Sequence, residues 1–408
     1  MLNWKPARRA RPRSRSAVLF SCALVLTVAA CATPTRLEPV PAEATIAAQP
    51  LGLSNARFFP AEQSAEMMRE ARAAVERQRT TLGLTPDAPL PPAQFLSLSG
   101  GGDDGAFGAG LLVGWSEAGD RPEFEFVTGV STGALIAPFA FLGPKYDPQL
   151  QAIFTTVSKN DIFTDRGIFG VLWDNAMADT SPLWHMLSRY VDAPLMAALA
   201  EEYGKGRLLL IGTTNLDAQE PCLWNIGAIA ASGQPGALDL IRKVLRASSA
   251  IPAYFQPVLI DIDMDGKKYQ ELHVDGGATA QMFLYPPSIN MRNAPSRDRA
   301  AYLIRNAREN SEWTATKPRT LSIAGRAIST MIKYSGKNDV LRIYNTTQRD
   351  GVDYNLASIG REFSAPGGGN FDKQYMNSLF DYAYQKSRRG YAWKKAPTRG
   401  ASVETGSE

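Results

Sequence analysis

The sequence predicts an α/β protein with a parallel sheet and helices on its faces. Two observations carry this. Between residues 95 and 142, strand-like and helix-like stretches alternate as strand, helix, strand, helix, the order of parallel strands joined by helical crossovers. Further on, Leu208-Leu209-Leu210-Ile211-Gly212 is a continuous apolar run, as expected of a strand covered on both faces. The chain has 408 residues, 44% of them hydrophobic and 21% charged. That is ample for one large domain or two modest ones with a real core.

Taken in order, the chain opens on what reads as a targeting segment. Residues 1–30 hold Lys5, Arg8, Arg9, Arg11, Arg13 and Arg15 and no acid, and the apolar run Ala17–Ala30 leads to Cys31. The run is short for a bilayer span, which needs about 17–25 residues. Val28-Ala29-Ala30-Cys31 resembles a bacterial lipoprotein signal. That resemblance implies cleavage before Cys31, lipidation of Cys31 and anchoring to a membrane of the bacterial cell envelope. Ala32 lacks the acid that retains some lipoproteins at the inner membrane, which favours the outer membrane, facing the periplasm. An uncleaved anchor with an incidental cysteine is the rival reading. The Arg8-Arg9 pair hints at twin-arginine export, but the residues after it fit poorly.

The formal net charge of +4 comes from this segment. Without it, 38 basic residues stand against 40 acidic ones. Charge therefore offers no case for nucleic-acid binding. With Cys22 removed and Cys31 lipidated, Cys222 has no intramolecular partner. It lacks a surrounding glycine turn, so a packed thiol is expected there.

Residues 32–60 are rich in Pro, Ala and Thr without periodicity and read as a tether. Ala61–Arg79 has helical spacing. Pro86, Pro91 and Pro92 break the chain before strand Phe95–Ser99. A glycine turn, a helix around Phe107–Ala118, strand Phe124–Val127 and helix Ala134–Leu142 follow. Ser181-Pro182 looks like a cap and first helical position. Leu238–Ser248 reads as a helix, and Tyr269–Val274 leads into Asp275. Beyond residue 290, Leu321–Ile332 and Phe371–Ser387 look helical, and 396–408 reads as a loose tail.

Three turns carry chemistry. Gly129-Val130-Ser131-Thr132-Gly133 is a Gly-x-Ser-x-Gly turn between a predicted strand and a predicted helix. Gly129 and Gly133 relieve crowding so that the Ser131 hydroxyl stands clear at a helix N-terminus, as a nucleophile requires. Taken alone, the pentapeptide also fits an ordinary tight turn. Gly100, Gly101 and Gly102 let successive N–H groups converge on one point, which suits a developing oxyanion. A flexible turn is the plain alternative. A phosphate loop lacks its lysine here, and the dinucleotide spacing is wrong.

The third turn is Asp275-Gly276-Gly277, at the end of a predicted strand. Asp275 as a base needs to be desolvated and within hydrogen-bond reach of Ser131; otherwise it is a solvent-exposed turn residue. The chain has only two histidines. His185 falls mid-helix beside Trp184 and Met186 and is expected to be packed. His273 shares a strand face with Asp275 and is a poor candidate for acting in line with Ser131. A Ser-His-Asp triad is thus disfavoured against a Ser-Asp pair.

These three turns, in this order, resemble the patatin-like phospholipase family. Thr213-Thr214-Asn215-Leu216 and Ala247–Phe255 add to the likeness, which spans about residues 94–290. It implies a three-layer α/β/α fold with a mostly parallel central sheet, and hydrolysis of lipid acyl esters by Ser131 as nucleophile and Asp275 as base. Gly100, Gly101 and Gly102 would supply the oxyanion hole. The chain then divides into signal (1–30), tether and helix (31–93), hydrolase domain (94–395) and tail (396–408). The expected partners are a membrane lipid or acyl ester as substrate and the membrane holding the anchor; the reaction calls for no metal or organic cofactor. One departure stands out: the family has Arg or Lys where this chain has Asp104, which leaves the headgroup open. A lipid-binding lipoprotein with a weak or dead site is the alternative function, and an acyltransferase or peptidase on the same residues is a third.

Overall fold

The structure, a computed structural model, describes residues 36–162, 164–165, 178–252, 254–310, 313, 315–365 and 371–397. The expected signal segment, Cys31 and the tail from residue 398 lie outside the described residues.

The described residues form a nine-stranded mixed sheet. In chain order its strands are β1 (Arg57–Phe58), β2 (Ala93–Leu98), β3 (Phe126–Val130), β4 (Leu208–Asn215), β5 (Glu220–Asn225), β6 (Val258–Met264), β7 (Lys267–Asp275), β8 (Arg299–Arg308) and β9 (Asp353–Ile359). Five run parallel in the order β9-β8-β2-β3-β4. Beyond β4, β5 and then β1 are added antiparallel. The main helices are α1 (Ser64–Thr81), α2 (Gly105–Ala118), α3 (Thr132–Leu142), α4 (Asp147–Thr156), α5 (Ser181–Tyr190), α6 (Ala193–Gly204), α7 (Ile226–Ala231), α8 (Ala237–Ser248), α9 (Thr320–Asp350) and α10 (Lys373–Arg388).

Strand alternation sorts the apolar residues into two layers. Leu96, Leu98, Val127, Leu209, Ile211 and Ile304 pack with residues of α2, α3, α4, α8 and α10. Phe95, Val130, Leu210, Leu303 and Leu356 pack on the other side with Met67 of α1 and with Val340 and Ile343 of α9. The architecture is a three-layer α/β/α arrangement around a mostly parallel sheet.

Three sequence expectations change. The stretch read as a tether is part of the body from residue 40 on: Val40, Ala48, Ala56, Phe58 and Phe59 are buried, and β1 pairs with β5. Its apolar residues are spaced irregularly because each meets a partner distant in sequence. At α5 the cap position falls on Thr180 and not Ser181; the Thr180 hydroxyl accepts from the Arg246 guanidinium at 2.9 Å. Helix α9 runs 31 residues, well past the expected Ile332, since no proline interrupts it and Val340 and Ile343 bury its C-terminal half against the body.

The register at the centre of the sheet positions the site. Strand β3 ends at Val130, while β4 continues to Asn215. The place beside this overhang is taken by β7, which pairs antiparallel with it, Asp275 opposite Thr213. The last residue of β7 therefore arrives where the chain turns from β3 into α3.

Candidate active site

Ser131 forms the corner between β3 and α3, with φ 55° and ψ −125°. A non-glycine residue in this region stores strain of about 1–3 kcal/mol. The neighbouring glycines are required by close approach: a Cβ on Gly129 would stand 2.5 Å from the Gly133 carbonyl oxygen, and one on Gly133 would stand 2.3 Å from that of Leu98. The Gly-x-Ser-x-Gly spacing is thus the spacing at which this turn packs against itself and against β2.

Ser131 is buried, and its Oγ donates to Oδ2 of Asp275 at 2.6 Å. The other carboxylate oxygen, Oδ1, accepts the Gly277 N–H at 2.7 Å. The Asp275 N–H donates to the Ala250 carbonyl, and the Thr214 hydroxyl donates to the Asp275 carbonyl. Burial pushes the Asp275 carboxyl up to about 6, against the opposing pull of the Ser131 hydroxyl and the Gly277 N–H. No ion pair reaches it among the described residues.

Two supports come from the last residue of α8 and the residue after it. The Ser248 hydroxyl, fully buried, accepts the Ser131 N–H at 2.9 Å and donates to the Gly212 carbonyl at 2.6 Å. The Ser249 hydroxyl approaches the Ser131 carbonyl at 3.4 Å. Ser248 therefore fastens the Ser131 corner to β4.

The glycine loop follows β2 and passes directly against the serine, since a Cβ on Gly100 would stand 3.1 Å from Ser131 Cβ. One expectation fails here. The Gly100 N–H donates to the Gln281 carbonyl at 3.0 Å, so its single hydrogen is already committed. Among the described residues no acceptor faces the N–H of Gly101, Gly102 or Thr132, the first residue of α3, where helix geometry leaves donors without intrahelical partners.

Asn306, near the end of β8, holds the loop and escaped the sequence reading. Its N–H donates to Ser99 Oγ, its Nδ2 donates to the Ser99 carbonyl, and its Oδ1 accepts the Gly108 N–H, at 2.8, 2.8 and 3.0 Å. Its backbone also crowds the loop: a Cβ on Gly101 would stand 2.1 Å from the Asn306 carbonyl oxygen. The only sequence signal was an asparagine closing an apolar strand. Asp104 is turned to α10, where its Oδ1 accepts from the Tyr375 hydroxyl at 2.6 Å.

Neither histidine joins the site. His185 is exposed on α5 and not packed as expected, because the buried stripe of that helix falls on Leu183 and Leu187. His273 is fully buried among Thr213, Trp224 and Glu271. Trp224 donates to Thr213 Oγ1 at 2.8 Å. The Thr213 proton then goes to His273 Nδ1, leaving Nε2–H for Glu271. Burial pushes the His273 pKa down, so the ring is a neutral link. Cys222 is buried, and burial pushes its thiol up to about 12.

Residues 96–286 match the family model of the patatin-like phospholipases. A comparison with curated proteins returned no match. Among solved structures, the chain is similar to VipD from Legionella pneumophila, at 12% identity and a TM-score of 0.36, over 74% of this chain and 67% of that one. It is also similar to human GIVD cytosolic phospholipase A2, at 13% identity and a TM-score of 0.29, over 64% of this chain and 49% of that one; it thus spans about half the length of that protein. The glycine loop, the Ser131 corner and Asp275 all lie inside the matched span, and residues 96–286 are a patatin-like phospholipase domain.

Proposed function

We propose that the protein hydrolyses lipid acyl esters with Ser131 as nucleophile and Asp275 as its general base. The observation that carries this reading is the 2.6 Å hydrogen bond from Ser131 Oγ to a buried carboxylate, at a strained corner that neither histidine reaches. An aspartate raised to about 6 is ionised at neutral pH and a stronger base than an ordinary one.

In the first half-reaction Ser131 Oγ attacks the ester carbonyl as its proton passes to Asp275 Oδ2. The N–H groups of Gly101, Gly102 and Thr132 receive the oxyanion. The C–O bond to the alcohol breaks, the alcohol leaves with the proton from Asp275, and acyl-Ser131 remains. Water then gives a proton to Asp275 and attacks the acyl carbon. The fatty acid departs, and the proton returns to Ser131 Oγ. Asp104, which stands where the family has Arg or Lys and is held by Tyr375, favours neutral lipids, lysolipids or simple esters over substrates recognised through a phosphate.

A fluorophosphonate probe tests the assignment. The wild-type protein is expected to be labelled and the Ser131→Ala variant not. Equal labelling of the two excludes Ser131 as the nucleophile.

A further inference from the structure

The C-terminal part of α9 is tied to the active site. Asp339 Oδ2 accepts the N–H groups of Gln281 and Met282 at 2.7 and 3.3 Å, and the Gln281 carbonyl accepts from Gly100 of the glycine loop. Beyond this anchorage, α9 buries Val340 and Ile343. Its N-terminal half is different. Residues 325–331 are all exposed, as a helix is when it stands clear of the body.

That exposed half carries large apolar side chains. Ile323, Ile328, Met331 and Tyr334 are 54, 43, 70 and 55% exposed, and Trp313 just before the helix is 89% exposed. Ile323, Ala327, Met331 and Tyr334 follow helical spacing and form one stripe, with Ile328 beside it. Arg326, Lys333 and Lys337 recur at intervals of seven and four and form a second stripe. From Trp313 to Asn338 the chain has five cations, with Lys317 and Arg319 the other two, and no acid.

We propose that this half of α9, with Trp313, is a docking element for the surface of an anionic bilayer. It would lie in the interface, apolar stripe down and cations against lipid phosphates. The composition fits one occupant. An apolar stripe beside a purely basic one, with an aromatic residue at its edge, is the pattern of helices that lie in a membrane surface. No helix among the described residues is long and apolar enough to cross a membrane. The proposal rests on the lipid-ester reading of Ser131, because docking here brings the bilayer to a helix fastened beside the glycine loop.

The test uses residues 32–408, which keep the whole described body and leave out the basic and apolar segment 1–31, with Met331→Cys carrying the fluorophore NBD; the one other cysteine, Cys222, is buried. With vesicles of phosphatidylglycerol and phosphatidylcholine, NBD emission is expected to shift to the blue and brighten. With phosphatidylcholine alone the response is expected to be much weaker. Changing Lys317, Arg319 and Lys337 to Gln should lower partitioning by about 100-fold, a factor of about five per cation. Emission unchanged by anionic vesicles overturns the proposal. So does a blue shift without vesicles that grows with protein concentration, which would mark a second copy of the chain as the occupant. The readout needs no turnover, so its failure is distinct from failure of the Ser131 assignment, which fluorophosphonate labelling reads.

Discussion

Ionising Asp275 in its folded surroundings is unfavourable, because burial removes the water that would stabilise its charge and no cation among the described residues replaces it. In the unfolded chain the group titrates near 3.8, and in the folded protein at about 6. Folding therefore favours the protonated form. Stability from this residue is highest below pH ~4, falls as pH rises to ~6, and above that carries a constant penalty of about 3 kcal/mol. Asp275→Asn keeps the shape and removes the charge. At pH 8 this variant is expected to be more stable than wild type by up to that amount, with no gain at pH 4, in urea midpoints measured at both. Its ester turnover should fall at least ~1000-fold. In the wild type, kcat/KM should rise with pH through an apparent pKa near 6. A profile flat from pH 4.5 to 7.5 excludes Asp275 as the titrating base.

Among the elements, the glycine loop shows what a single sequence discloses. Its glycines and those around Ser131 were legible, because tight turns and close backbone approaches exclude Cβ atoms and leave glycine as their mark. Asp275 was legible for a related reason, lying at a strand end before two glycines. Asn306 was not, since its three hydrogen bonds run to residues about 200 positions away and nothing local announces them. The same holds for the Gly100 N–H, whose capture by Gln281 depends on how β7 leaves the sheet. Asn306→Ala tests the loop's dependence on this one side chain. It strands the Gly108 N–H and the Ser99 carbonyl in a buried setting, each worth about 1–3 kcal/mol. Thermal unfolding is expected several degrees lower, and kcat about tenfold lower with KM little changed. Unaltered kcat in a destabilised variant would show that the loop holds its shape without Asn306.

At the scale of the whole molecule, the segment before α1 closes the sheet. Strand β1 carries Arg57 into the body, where both its terminal nitrogens donate to Glu271 of β7, with both side chains nearly inaccessible. The same glutamate accepts from His273 at 3.2 Å, and His273 shares its strand with Asp275. Burial alone would push the Glu271 carboxyl up, but the hydrogen bonds from His273 and Arg57 and the guanidinium charge bring it down to about 2. A stretch that reads as a loose tether thus neutralises a buried acid four residues from the proposed base. Its low periodicity hid this, because one arginine and a few scattered apolar residues carry the attachment. Removing one partner of such a pair leaves an uncompensated buried charge and costs about 3–5 kcal/mol, whereas replacing both with apolar residues of similar size is often neutral. Arg57→Met is therefore expected to lower the urea midpoint sharply, and the double change Arg57→Met with Glu271→Leu to recover much of the loss. Equal midpoints for wild type and Arg57→Met would mean that the N-terminal segment is only laid on the domain and that Glu271 finds water once the guanidinium is gone.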